Sequence, residues 1–326
     1  MKGIRAAESR FEAHNSKTVG EMVGRDHELG LVLERWQQSL SGDGQLVLLT
    51  GEAGIGKSRI TRAVVDAVSR HKHTRISYQC SPYHTDSALY PAIQQLNHVA
   101  GISFADSNDD KLDKLEAVLL GDEKHVMAKL LDLKTEHRYG SFDQDPQQLR
   151  WRTLRALASE LATLALAHPV LFILEDAHWI DATTLEMVEL CLDNLQGARV
   201  LLLMTARPTF EHQFSGHPSV TRLVLNRLTK GQIVAIATKL AGGKELPAEL
   251  LEEIAQKTDG VPLFVEELTK TVLESDMLLE RADRFELGGP ISRLAIPATL
   301  HDSLMARLDR LQPVKEVAQM AACIGR

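Results

Sequence analysis

Eight consecutive residues, Gly51-Glu52-Ala53-Gly54-Ile55-Gly56-Lys57-Ser58, hold the clearest chemistry in this chain. Their spacing is G-x-x-x-x-G-K-[ST], the P-loop pattern that cradles the phosphates of a nucleoside triphosphate. Glycines allow the backbone to wrap closely, so that successive N–H groups point at phosphate oxygens. A helix starting at the same place adds the positive end of its dipole. Lys57 can reach the β- and γ-phosphates, and the Ser58 hydroxyl can ligate Mg²⁺. Arg59, the next residue, is counted with the nucleotide-binding set.

Binding phosphate is not hydrolysing it; turnover needs carboxylates near the metal ion and the attacking water. The apolar run Val170 to Leu174 ends in Glu175-Asp176. Carboxylates at the C-terminal end of a parallel strand face the ligand crevice of an open α/β sheet. The expectation is that Glu175 lies in the Mg²⁺ shell through water and that Asp176 orients or activates the attacking water. Just downstream, His178 reads as a hydrogen-bonding or packing residue, Trp179 as a packing anchor, and Asp181 as a helix cap.

Elements that could position these groups follow from periodicity. Gln45–Thr50 reads as a buried strand before the loop, and Arg59–Arg70 as a helix after it with Ile60, Val64, Val65 and Val68 inward. Further strands are expected at Thr74–Gln79, Val170–Leu174, Val200–Met204 and Val220–Leu225. Helices are expected at Asp26–Leu40 (Leu29, Val32, Leu33 and Trp36 on one face), Gln147–Ala167 (holding Trp151, Leu154, Leu157, Leu161 and Leu164) and Asp181–Leu195. A broken helical stretch runs from Ala92 to Leu133, punctuated by Gly101 and Gly121. Apolar strands alternating with helices argue for a parallel sheet covered on both faces. After Leu228 the strands stop, and Thr229–Leu240, Pro247–Lys257 and Pro262–Leu279 read as three helices of a smaller domain. Pro297–Leu311 and Val314–Cys323 read as further helices, the start of another unit, so the chain is expected to be a piece of a longer one.

At 326 residues the chain can hold two or three compact units, and 44% hydrophobic with 25% charged content is ordinary for globular domains. The net charge of −7 gives no general pull toward nucleic acid or an anionic membrane. Cys80, Cys191 and Cys323 match neither a zinc spacing nor a disulfide framework and read as free thiols of a reducing compartment. The N-terminus lacks the apolar core of a signal peptide, and the longest apolar stretch, Leu161–Leu174, is broken by His168-Pro169. The expected location is the cytoplasm.

Together with the P-loop, Leu171-Phe-Ile-Leu-Glu-Asp-Ala-His-Trp-Ile-Asp181 resembles the signal-transducing (STAND) branch of the AAA+ ATPases. The resemblance runs from about Val23 to Arg326. Val23-Gly24-Arg25-Asp26-His27-Glu28 is similar to the family's opening motif, which implies that Arg25 lies near the nucleotide. Met204-Thr205-Ala206-Arg207-Pro208 is similar to its sensor 1 segment, with Arg207 as the polar sensor. Thr258-Asp-Gly260-Val261-Pro262 is similar to the G-x-P signature of its helical lid, where Pro262 would contact the adenine. The resemblance implies ATP and Mg as cofactors, with Lys57, Asp176 and Arg207 serving the chemistry. The implied fold is an α/β P-loop NTPase with a parallel sheet of order 5-1-4-3-2, a helical lid and the start of a winged-helix-like unit. The expected boundaries are 1–20 linker, 21–228 α/β domain, 229–280 lid and 281–326 terminal unit. ATP would sit between α/β domain and lid, and its binding would set the lid angle.

Cys80 to Pro91 and Ile296 to Arg310 further resemble the ATPase region of bacterial adenylate/guanylate cyclase-like multidomain proteins, although neither a cyclase domain nor a 34-residue repeat is present here. Large ATP-dependent LuxR-type regulators share the same module, and a non-hydrolysing nucleotide-bound scaffold is the third reading. The expected partners are ATP and, on nucleotide binding, other proteins or a second copy of the chain; neither a membrane nor nucleic acid is expected. One residue departs from the family pattern: Glu175 stands where Asp is usual. One extra methylene displaces the carboxylate by about 1.5 Å, which implies slow hydrolysis.

Overall fold

The computed structural model describes residues 22–140, 145–210, 214–275 and 278–290, with a few positions between 299 and 320. The linker expected over 1–20 and most of the terminal unit expected over 281–326 lie outside them. The chain divides into two compact units. Of the described residues, the first comprises those in 27–52 and 57–224, and the second those in 22–26, 53–56 and from Leu225 onward.

The first unit is built on five parallel strands. They are β1 (Gln45–Thr50), β2 (Thr74–Gln79), β3 (Val170–Glu175), β4 (Val200–Ala206) and β5 (Val220–Val224). Their order is β2-β3-β4-β1-β5, the expected 5-1-4-3-2 read from the other edge. β3 and β4 are buried residue after residue, and β1 nearly so, as expected of a sheet covered on both faces. The registers Leu49↔Thr205 and Gln79↔Glu175 align the C-terminal ends of β1 with β4 and of β2 with β3.

Helix α1 (Asp26–Leu40) buries Val32, Trp36 and Ser39, and α2 (Lys57–Val68) follows the glycine loop. On α2 the fully buried positions are Ile60, Thr61, Val64 and Val68. Val65 is only half-buried and Thr61 takes its expected place, because 3.6-residue spacing from Ile60, Val64 and Val68 passes through position 61. The broken stretch resolves into α3 (Tyr90–Ala100), α4 (Asn108–Val118), α5 (Lys124–Leu130) and the one-turn α6 (Glu136–Tyr139). Gly101 ends α3 in the left-handed conformation that favours glycine. The long α7 (Pro146–Ala167) buries Leu154, Leu157 and Leu161, but Trp151 on the same helix is 49% exposed. Next, α8 (Ala182–Asp193) is capped by Asp181, whose carboxylate accepts from the N–H groups of Thr183 and Thr184.

The second unit centres on three helices, α9 (Lys230–Leu240), α10 (Ala248–Thr258) and α11 (Pro262–Leu273). Ile233, Ala237, Leu250, Ile254, Val265 and Leu268 form its core. The third helix is shorter than expected. It stops at Leu273, and Leu278–Glu280 (β6) instead pairs antiparallel with Phe285–Leu287 (β7). A short apolar run does not distinguish helix from strand by periodicity alone; the cross-strand pairs decide. No helix among the described residues is long and apolar enough to cross a membrane.

Candidate nucleotide-binding site

In the first unit the chemistry gathers where β1, β3 and β4 end. Lys57, the first residue of α2, donates from Nζ to the carbonyls of Gly51 (2.7 Å) and Glu52 (2.9 Å). Its pKa is lowered, chiefly by burial; the Arg207 charge pushes the same way and the Asp176 charge opposes. Lys57, Asp176 and Arg207 therefore share one local field, although 150 residues of sequence separate the first from the last.

Ser58 donates from Oγ to Glu175 Oε2 at 3.3 Å. Glu175, the last residue of β3, is buried at 8% exposure. Hydroxyl and carboxylate oxygens are the hard donors that Mg²⁺ prefers, and a cavity of about 40 Å³ lined by both residues and Gln79 has room for water. This donor set fits a Mg²⁺ held in company with phosphate oxygens. Among the described residues, no group of three or more His, Cys, Asp or Glu side chains could hold a metal ion.

Asp176 adopts the left-handed conformation, φ 58° and ψ 40°, which Asp tolerates better than most residues. Two neighbours hold it there. Its N–H donates to Thr205 Oγ1 at 3.0 Å, and its Oδ2 accepts from Gln79 Nε2 at 3.0 Å. Neither Gln79 nor Thr205 was expected at the site. Their one sequence signal is position: Gln79 ends β2, and Thr205 lies one residue from the end of β4. β4 runs two residues beyond the expected Met204, which makes Arg207 the first residue past the strand. Its guanidinium carbon lies 5.2 Å from the centre of the Trp179 ring. Trp179 packs against the core as an anchor, and Asp181 is the helix cap its context implied. Arg59 is half-buried on α2, one residue past Ser58.

In the second unit, the middle of the glycine loop has its own partners. Gly54 takes φ 76°, and its carbonyl accepts from the N–H of Leu263 at 3.2 Å. Arg25, 6% exposed, donates from Nη2 to the carbonyls of Ile55 (3.3 Å) and Asn226 (2.5 Å). Arg25 is thus tied to the loop backbone itself. Pro262 opens α11, where a missing N–H costs nothing. Before it Gly260 has φ 73°, and its carbonyl accepts from Leu228 N at 2.8 Å. At Gly56, φ 105° leaves open space where a side chain would begin, so the loop backbone there is accessible to a ligand.

A family model described as an AAA ATPase domain matches residues 21–203, more than half of the chain. The chain belongs to the AAA ATPase domain family. Lys57, Ser58, Glu175 and Asp176 fall inside the matched residues, whereas Arg207 and Pro262 lie beyond them. This AAA ATPase domain is 26% identical over 330 residues to an uncharacterized protein of Rhizobium meliloti. That match takes in 99% of this chain but 31% of the relative, so the chain spans under a third of the relative's length. Among solved structures, it is similar to a STAND protein with a tetratricopeptide repeat sensor from Pyrococcus horikoshii. The identity there is 14%, with a TM-score of 0.43, covering 80% of this chain and 31% of that one. It is also similar to the FIGL-1 AAA domain in complex with ADP, at 15% identity and TM-score 0.41, covering 79% and 74%.

Proposed function

We propose that this AAA ATPase domain is a nucleotide-driven switch of the STAND type, which binds ATP with Mg²⁺ and hydrolyses it slowly. One arrangement carries the reading: Lys57, Ser58, Glu175 and Asp176 converge at the strand ends of a parallel sheet, directly after the glycine loop. Lys57 supplies a partly buried ammonium to the phosphates, whose charge competes with the two carbonyls it now bonds. Mg²⁺, held by Ser58 and by Glu175, would supply Lewis-acid stabilisation of phosphoryl charge. Asp176, aimed by Gln79 and Thr205, orients the attacking water and receives its proton. Arg207 contributes positive charge, and Arg25 and Pro262 the remaining nucleotide contacts. The Glu175 carboxylate in place of Asp supports slow turnover.

The boundary we propose between α/β domain and lid lies near residue 228, with the lid over 229–280. The relative's greater length supports a larger protein around this module, and the likeness of Cys80–Pro91 and Ile296–Arg310 to cyclase-like proteins supports a signal-transduction protein of cyclase-like or LuxR-type architecture. Nucleotide-dependent lid closure would pass the signal to those parts or to partner proteins. The test is calorimetry with ATP and Mg²⁺ alongside a phosphate-release assay. Lys57→Ala should abolish binding, and Asp176→Ala should bind but release no phosphate. Micromolar affinity retained by Lys57→Ala would overturn the reading, and wild-type turnover by Asp176→Ala would remove Asp176 from its role.

A further inference from the structure

We propose that Trp179 is the positioning residue for Arg207, its indole face setting the direction in which that guanidinium presents its charge. The inference deepens, and rests on, the nucleotide-switch reading above.

Trp179 has little freedom of its own. It closes a single 3-10 turn, Ala177–Trp179, in which Trp179 N–H donates to Asp176 O at 3.0 Å and Ile180 N–H to Ala177 O at 3.1 Å. Ala177 at the start of that turn is fully buried, and Asp181 just after it is locked as the α8 cap. The indole is half-buried against the main core and lies 4.2 Å from the His178 ring at a 40° tilt. The backbone beneath the ring is thus fixed on both sides, and the ring itself packs against the core and His178.

Arg207 is the opposite kind of residue. It is exposed, it follows β4 directly, and no ion pair holds it among the described residues. A flexible guanidinium without a partner samples many rotamers. The indole face, 5.2 Å away, is within the roughly 6 Å over which an aromatic quadrupole attracts a cation. Arg207 in turn stands beside the site, two residues past Thr205, whose Oγ1 accepts from the Asp176 N–H at 3.0 Å. The chain of influence runs from the turn beside Asp176, through a ring, to a cation at the end of β4. In this scheme Trp179 acts through Arg207 alone.

The experiment is a double-mutant cycle with a spectroscopic readout. In ¹⁵N-labelled chain the Trp179 indole N–H signal is identified by its loss in Trp179→Phe. Arg207→Ala should shift that signal in the absence of nucleotide. Trp179→Leu, which keeps apolar volume without a π face, should lower kcat about two- to fivefold with KM within twofold. Trp179→Phe should retain most of the activity, and Trp179→Leu combined with Arg207→Ala should turn over no more slowly than Arg207→Ala alone. An indole signal unmoved by Arg207→Ala, or losses that multiply in the double variant, would overturn the proposal. A chain that bound no ATP would sink the switch reading, while the indole comparison would still decide the Trp179–Arg207 contact.

Discussion

The side-chain amide of Gln79, the last residue of β2, donates a 3.0 Å hydrogen bond to Oδ2 of Asp176, just past the end of β3. Because the Thr205 hydroxyl also accepts from the Asp176 N–H, the aspartate is held from two strands at once. Gln79→Leu removes one of these tethers without touching the glycine loop. We expect ATP affinity to stay within about twofold while kcat falls about five- to tenfold, the loss of one orienting hydrogen bond. Unchanged kcat in single-turnover phosphate release would show that Asp176 needs no aim from Gln79.

Lys57 carries a sign that differs from the usual stabilising charge. Its pKa in the folded chain lies below the ordinary 10.5, so folding disfavours the protonated form. That penalty is fully present at neutral pH. It lifts as pH rises through the folded value toward the unfolded one, where the amine is neutral in both states. Lys57→Met, which removes the charge but keeps the stem, should therefore leave the nucleotide-free chain as stable as wild type or more so near pH 7. The gain should shrink toward pH 10. Urea titrations at several pH values check this, and a loss of stability at neutral pH would show that the Gly51 and Glu52 carbonyls outweigh burial.

Gly260 has φ 73°, and a Cβ there would lie 2.6 Å from Leu228 O. Gly260→Ala meets both backbone strain and a clash with main-chain atoms, and should cost about 2 kcal/mol or more in chemical denaturation. Gly30, in α1 with nothing within 4 Å of its would-be Cβ, is the matched control. Gly30→Ala should stabilise by about 0.5–1 kcal/mol, because helix interiors favour alanine. Equal effects at the two sites would count against the left-handed geometry at Gly260.

Burial pushes the thiols of Cys80 and Cys191 up to about 12 each, with the Asp181 and Asp176 charges adding to the effect at Cys80. The thiolate is the reactive form, so at pH 8 both should resist a disulfide reagent for as long as the chain stays folded. Mass spectrometry after brief labelling should find them unmodified, and after denaturation fully modified. Rapid native labelling of Cys80 would mean that the end of β2 opens readily.

What was legible in the sequence was what depends on near neighbours. β1, β3 and β4 stood out because a strand covered on both faces is apolar at nearly every position, as Leu46 to Leu49 and Val170 to Leu174 are. The P-loop and the Asp181 cap are likewise local, since spacing along the chain is their geometry. Gln79 bonding Asp176, and Thr205 doing the same from β4, depend on strand order and register, which pair residues 97 and 29 positions apart. Helical phase assigns a face but not whether anything covers it: Trp151 is half-exposed on the same helix as buried Leu154. The end of α11 misled for a related reason, since Leu278 finds its partner at Leu287 across a hairpin rather than one turn back.

The four residues Ala53–Gly56 belong to the same compact unit as Arg25 and the helices beyond Leu225, while Glu52 and Lys57 on either side belong to the other. This unit is consequently not a cassette that evolution or an engineer can exchange by cutting once near residue 225. A chimera that imports the helices of a relative while keeping this chain's Gly24-Arg25 and Gly54-Ile55 would join parts selected for different companions. Any functional graft must carry three separated stretches of sequence together, and the shortest of them lies inside the glycine loop of the host.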